Sequence, residues 1–249
     1  MSFWGFSKRR AQSGAEETVL RIDGVISPGE SGVDWWGDSV TGSAAFAREL
    51  AAPPGALTVE INSPGGDVFA GVDIYSHLCR HPGRVSVLVS WAASMASIIA
   101  QAAAPGALRI VPGGMMMIHE PWTWAQGNAG DLEKEATVLR EITDGMVEIY
   151  MQRYKGTEDE LRAALGREEY LGADRAVESG LCDAVAEIAP GMNALDARGI
   201  CALATEDAMA RWRKAAHAKP SQPDAKKDEI AAIVQRAAAL SQQHAKKEL

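Results

Sequence analysis

Apolar and polar positions alternate along "TVLRIDGVI", residues 18–26, where Leu20 and Ile22 are separated by Arg21 and followed by Asp23. A period of two predicts a strand with one buried face. "SPGESGVDWWGDSV" (27–40) breaks the pattern and reads as a loop. "TGSAAFARELAA" (41–52) reads as a helix capped by Thr41 or Ser43. "ALTVEI" (56–61) is a second strand, ending at "NSPGG" (62–66), and "DVFAGVDIYSHLCR" (67–80) is helical. "RVSVLV" (84–89) is a third strand, followed by a helix containing Ser94. "LRIVPGG" (108–114) and "MMMIHEP" (115–121) read as two further short strands, and "SGLCDAVAEI" (179–188) as a closing strand near residue 185. Repeated strand–helix alternation predicts an α/β layer fold with parallel strands.

The period changes at "DLEKEATVLREITDGMVEIYMQRYKG", residues 131–156. Leu132, Ala136, Leu139, Thr143, Met146 and Tyr150 recur every three or four positions, and Val138, Ile142 and Ile149 form a second apolar row. A helix apolar on two faces asks for more than one partner surface: its own domain and another subunit. Beyond residue 190 the composition shifts. "KPSQPDAKKD" (219–228) reads as a linker, and "EIAAIVQRAAALSQQ" (229–243) as a helix with a narrow apolar stripe. The expected organisation is a flexible N-terminus (1–16), one domain (17–190) and a helical tail (191–249).

Composition narrows the partners. A formal net charge of -8 argues against a nucleic-acid surface, which needs clustered Lys and Arg. Cys79, Cys182 and Cys201 are too far apart for metal-ligand spacing and suit a reducing cytoplasm, with no metal or cofactor expected. "MSFWGFSKRR" does not read as a signal peptide. Residues 85–104 carry no charge, but Ala and Ser dominate, Gln101 interrupts them and Pro105-Gly106 ends the run. Such a stretch gains little from hydrocarbon, so no membrane partner is expected.

Three junctions carry candidate chemistry. In "NSPGGD" (62–67), Gly65 and Gly66 allow positive φ or a close approach, and an N–H there is a natural oxyanion donor. "AASMA" (92–96) is a small-residue analogue of a nucleophile elbow, with Ser94 at its centre and Met95 supplying a second N–H. "MIHEP" (117–121) puts His119 at the end of an apolar strand, where a general base belongs. His77 and His81 flank a helix end, and His217 and His244 lie in the tail. A carboxylate to hold the histidine has seven candidates: Asp131, Asp144, Asp159, Glu168, Glu169, Asp174 and Asp183. Residue chemistry alone does not choose among them.

Together these stretches resemble the Clp protease proteolytic subunit family, ClpP. "INSPGGDVFAGVDIY" resembles its glycine motif, "WAASMAS" its serine motif, "PGGMMMIHEP" its histidine motif and "EEYLGADRAVESGLCDAV" its C-terminal motif. The likeness spans roughly residues 17–188 in the family's order. It implies a ClpP/crotonase-like superhelix of β-β-α repeats with a protruding handle helix. It implies Ser94 as nucleophile, His119 as general base, and the backbone N–H groups of Gly66 and Met95 as oxyanion hole. The family's acid is usually Asp, three residues before the Leu of the C-terminal motif; counting back from Leu171 gives Glu168, with Glu169 the rival if the register slips by one. It also implies self-association through the 131–155 helix.

"VDWWGDSVTGSAAFARELAA" (33–52) is similar to ClpP-related head maturation proteases of tailed bacteriophages. That branch implies an ATP-independent serine endopeptidase cutting scaffold or capsid precursors, in the host cytoplasm or the prohead. The alternatives are a bacterial ClpP-like peptidase with an ATPase partner, a crotonase-type acyl-CoA enzyme and a non-catalytic capsid-assembly scaffold. A Ser–Lys peptidase is disfavoured, because no lysine lies between Lys8 and Lys134.

Overall fold

Leu57, Val59 and Ile61 alternate with Thr58, Glu60 and Asn62, and Val85, Val87 and Val89 do the same one strand over. The buried set faces the covering helices, and each such side chain contributes about 2 kcal/mol. The computed structural model describes residues 7–10, 16–33, 39–50 and 55–187. The expected linker and tail helix lie outside these residues.

Within them the order is β1 (Ser7–Arg10), β2 (Glu16–Ser27), β3 (Gly32–Val33), β4 (Ser39–Gly42), α1 (Ser43–Leu50), β5 (Leu57–Gly66) and α2 (Val68–Cys79). Then come β6 (Val85–Ala93), α3 (Met95–Ala100), β7 (Leu108–Ile118), α4 (Ala129–Met151) and α5 (Glu158–Gly166). β8 (Glu169–Gly172), α6 (Ala173–Glu178) and β9 (Ala184–Val185) close the series. The strands form one sheet in the order β3-β4-β2-β5-β6-β7-β8, with β1 on β2 and β9 on β7. The pairs β4–β2, β2–β5, β5–β6 and β6–β7 are parallel, and β8 runs antiparallel to β7. This is the expected α/β fold.

Several elements differ from the sequence reading. Thr41 does not cap α1: it lies in β4, and its hydroxyl donates to Asp23 O at 3.0 Å. β5 runs through "SPGG" to Gly66, because Gly65 and Gly66 still pair with Val25 and Ile26 of β2. The two short strands expected at 108–121 are one strand, β7, with a bulge: its pairing on β6 steps from Val89↔Ile110 to Trp91↔Met115. Pro112 has no N–H for a ladder, and Gly113 takes φ 77°, so the chain bends there without leaving the sheet. Ser7–Arg10 forms β1, where the sequence shows no apolar alternation; its ladder to Glu16–Val19 is backbone pairing.

α4 starts in a capping box. The Asn128 side chain accepts from Asp131 N, and the Asp131 carboxylate accepts from Asn128 N. Met146, Val147 and Tyr150 near its C-terminal end are buried, whereas Leu132 and Val138 are 45% and 48% exposed. The helix is thus rooted at one end and projects at the other, as a handle does.

Candidate active site

β6 and β7 are parallel neighbours, and Ala93 pairs with Met117. Ser94 follows the end of β6, and His119 lies one residue past the end of β7. Both therefore emerge at the carboxyl ends of adjacent strands, where open α/β sheets build their sites. His119 Nε2 lies 2.8 Å from Ser94 Oγ, within hydrogen-bond reach. Both residues are half-buried.

The Ser94 backbone explains why its neighbours are small. It adopts φ 53° and ψ −128°, a region glycine enters freely and other residues enter at a cost of about 1–3 kcal/mol. Ser94 N donates to Met117 O at 2.9 Å, and Ser94 O accepts from Ser97 N at 2.9 Å, which holds the turn. Ala92, Ala93 and Ala96 are fully buried around it.

The glycine motif packs onto this turn. Gly65 has φ 90°, and a Cβ there would lie 2.6 Å from Ala93 O, 2.7 Å from Ser94 Cβ and 3.0 Å from Met95 N. Only glycine lets β5 approach the Met95 nitrogen so closely. Met95 is the first residue of α3, so its N–H has no partner within the helix. Gly66 is exposed at the end of β5 with φ 150°, where a Cβ would meet the Ile26 backbone of β2. Ser63 secures the glycine turn: its buried hydroxyl donates to Gly24 O at 2.6 Å and accepts from Gly65 N at 3.1 Å. Asp67 caps α2 by accepting from Ala70 N at 2.8 Å.

Glu168 reaches the same corner by a different route. Ile118 pairs with Glu169 at the end of the β7–β8 ladder, and His119 and Glu168 are the next residues outward on the two chains. Leu165 O accepts from Glu120 N at 3.2 Å and from Glu168 N at 3.1 Å, drawing the two segments together. Glu168 has φ 53°, a second left-handed non-glycine residue beside Ser94 among the described residues. Tyr170 OH donates to Glu168 Oε1 at 2.8 Å. The Glu169 carboxylate pairs instead with Arg167 and Arg175. The Glu169 carboxylate is thus committed to two arginines, and the Glu168 carboxylate is not.

Of the five other candidate acids, three have separate work. Asp131 caps α4, Asp144 pairs with Arg162 at 2.7 Å, and Asp183 pairs with Arg153 at 3.0 Å and accepts from Leu108 N at 2.8 Å. Asp159 and Asp174 are exposed in the first turns of α5 and α6. His77 lies 3.4 Å from Asp73, and His81 Nδ1 accepts from Gly83 N at 3.1 Å.

Sequence reasoning missed Ser97 and Tyr150 as a pair. Ser97 Oγ lies 2.7 Å from Tyr150 OH, and both side chains are fully buried. The signal was the phenol itself: a tyrosine in an apolar helix row must find a partner for its hydroxyl.

A strained serine turn, a histidine within hydrogen-bond reach of its hydroxyl and Gly65 packed against the next N–H form an arrangement that can support acyl transfer. The profile of the Clp protease family matches residues 46–189, more than half of the chain. The chain belongs to that family. Among the described residues, no helix is long and apolar enough to cross a membrane.

Proposed function

We propose that this protein is a serine endopeptidase that cuts scaffold or capsid precursors of a tailed bacteriophage during head maturation, without an ATPase. The observation that carries the peptidase reading is the 2.8 Å contact between His119 Nε2 and Ser94 Oγ at a strained strand-to-helix turn. The likeness of residues 33–52 to head maturation proteases supports the choice of substrate.

Ser94 Oγ attacks the scissile carbonyl carbon while His119 Nε2 takes its proton. The carbonyl oxygen becomes an oxyanion, which the N–H groups of Gly66 and Met95 receive. One such donor is worth about 10²–10³ in rate. The tetrahedral intermediate collapses as His119 returns the proton to the leaving amine, leaving an acyl group on Ser94. Water, deprotonated by His119, then releases the acid. Glu168 holds the imidazole tautomer and stabilises the imidazolium formed in each half-reaction. An acyl-CoA enzyme with paired N–H donors has no need of the Ser94–His119 contact, which favours the peptidase.

Mass spectrometry of the protein co-expressed with neighbouring capsid and scaffold proteins tests the reading. Wild type should produce new protein termini that Ser94→Ala does not. Identical fragment patterns from both would refute it.

A further inference from the structure

The catalytic turn is tied to α4 by a short chain of hydroxyls whose direction can be deduced. Ser97 Oγ has three polar neighbours: Ser94 O at 2.6 Å, Met117 O at 3.2 Å and Tyr150 OH at 2.7 Å. Two are carbonyl oxygens and can only accept. Ser97 has one hydroxyl proton, and Ser94 O is the nearer acceptor. The proton between Ser97 and Tyr150 must then come from Tyr150, so Tyr150 donates to Ser97 and Ser97 donates to Ser94 O. The opposite direction would set two oxygens 2.6 Å apart with no proton between them. Burial, which pushes the Tyr150 phenol up from its ordinary value, keeps its proton in place.

Ser94 O belongs to the peptide group whose nitrogen is Met95 N. That peptide is planar and trans, so its N–H points away from the carbonyl oxygen. Ser94 O therefore receives two hydrogen bonds, from Ser97 Oγ at 2.6 Å and Ser97 N at 2.9 Å, on the side opposite the Met95 N–H. They fix the rotation of the peptide plane. They also draw electron density toward the oxygen, which makes the N–H a stronger donor; such polarisation is about 10–30% per bond.

We propose that Tyr150 and Ser97 are positioning residues for the reaction, aiming and polarising the Met95 N–H through the carbonyl of Ser94. Neither touches the substrate. The inference rests on the reading of Met95 N–H as an oxyanion donor. It gives Tyr150 a role beyond anchoring α4: the helix that projects from the domain is rooted on the peptide that receives the developing charge.

The test is steady-state cleavage of a peptide by wild type, Tyr150→Phe, Ser97→Ala and the double variant, with binding of a peptide aldehyde measured alongside. The aldehyde forms a tetrahedral adduct and reports on the oxyanion site; KM for the substrate peptide serves as the comparison. Tyr150→Phe should lower kcat about fivefold and Ser97→Ala about tenfold or more, with KM within about twofold of wild type. Aldehyde affinity should fall in step with kcat/KM. The double variant should be no slower than Ser97→Ala alone, because Tyr150 acts only through Ser97. Ser97→Thr, which keeps a hydroxyl, should recover most of the loss and carries the test if Tyr150→Phe fails to fold. A wild type that neither cleaves nor forms an adduct at Ser94 overturns the peptidase reading and this inference together. An active wild type with unchanged kcat in Tyr150→Phe, a loss confined to KM, or losses that multiply in the double variant overturns this inference alone.

Discussion

Glu120 and Glu168 donate their backbone N–H groups to the same carbonyl oxygen, that of Leu165, at 3.2 and 3.1 Å. One acceptor thus fixes the residue after His119 and the residue proposed to hold the imidazole. Leu165 is buried at the end of α5, so this clasp is set by the packing of a helix and not by the loop itself.

The clasp leads to a prediction about the two adjacent glutamates. Glu168→Gln should lower kcat by orders of magnitude, though less than Ser94→Ala or His119→Ala, whose losses should match because triad members act as a unit. Glu168→Asp should retain activity, since a shorter carboxylate can fill the role and Asp tolerates the left-handed backbone. Glu169→Gln should leave kcat near wild type and lower stability, through the loss of its pairs with Arg167 and Arg175. The kinetics of the three variants decide it; a large loss in Glu169→Gln with none in Glu168→Gln reverses the assignment.

A second prediction concerns Gly65. An alanine methyl there would meet Ala93 O, Ser94 Cβ and Met95 N at 2.6–3.0 Å, at a φ of 90° that disfavours any side chain. Gly65→Ala should displace the serine turn and reduce kcat/KM by about 10²-fold or more. Its melting temperature should fall as well. Wild-type turnover in a folded Gly65→Ala protein would show that the glycine contact does not set the site.

The projecting half of α4 is the expected surface for self-association. Val138 is 48% exposed and lies between Glu135 and Glu141 at helical spacing, so Val138→Lys adds charge without opposing the helix. Light scattering should find wild type as an oligomer and Val138→Lys as a smaller species of unchanged circular dichroism. Met146 is buried, and a charge there should unfold the domain. A wild type that stays monomeric at micromolar concentration contradicts the expectation.

Asp23 gives a pH dependence of known sign. Burial raises its pKa above the ordinary 3.8, against the hydrogen bond from Asn62 and the charge of Arg21, and with the help of Glu60. A raised carboxyl binds its proton more tightly in the folded state. Its contribution is fully present below pH 3.8 and is lost as pH rises through the folded value. Asp23→Asn stays neutral and should melt higher than wild type at pH 7, with the difference vanishing below pH 3.8. Thermal unfolding across that range checks it; a gain that persists at the acid end contradicts the assignment.

Much of this was legible in the residues. Alternation at Leu20–Asp23, Leu57–Asn62 and Val85–Val89 marks the central strands, because one buried face leaves a period of two. Ser94 stands out because it follows such a strand, and His119 because it ends the apolar run Met115–Ile118. α5 carries a weaker signal, although Thr157 and Glu160 form a capping box visible in the sequence; its short apolar set of Leu161, Ala164 and Leu165 looks like loop until tertiary packing is known. β1 is held by backbone pairing, which leaves no apolar signature. Glu168 and Glu169 cannot be told apart by composition. Their separation depends on the β7–β8 register and on the two arginines that the fold brings to the Glu169 carboxylate, Arg167 and Arg175.

The central claim, that Ser94 is a nucleophile activated by His119, is tested most directly by treating the protein with a fluorophosphonate and locating the modified residue by mass spectrometry. The account predicts one adduct on Ser94, absent in Ser94→Ala and strongly slowed in His119→Ala. No adduct on Ser94 in folded wild-type protein, or equal labelling in His119→Ala, would contradict it.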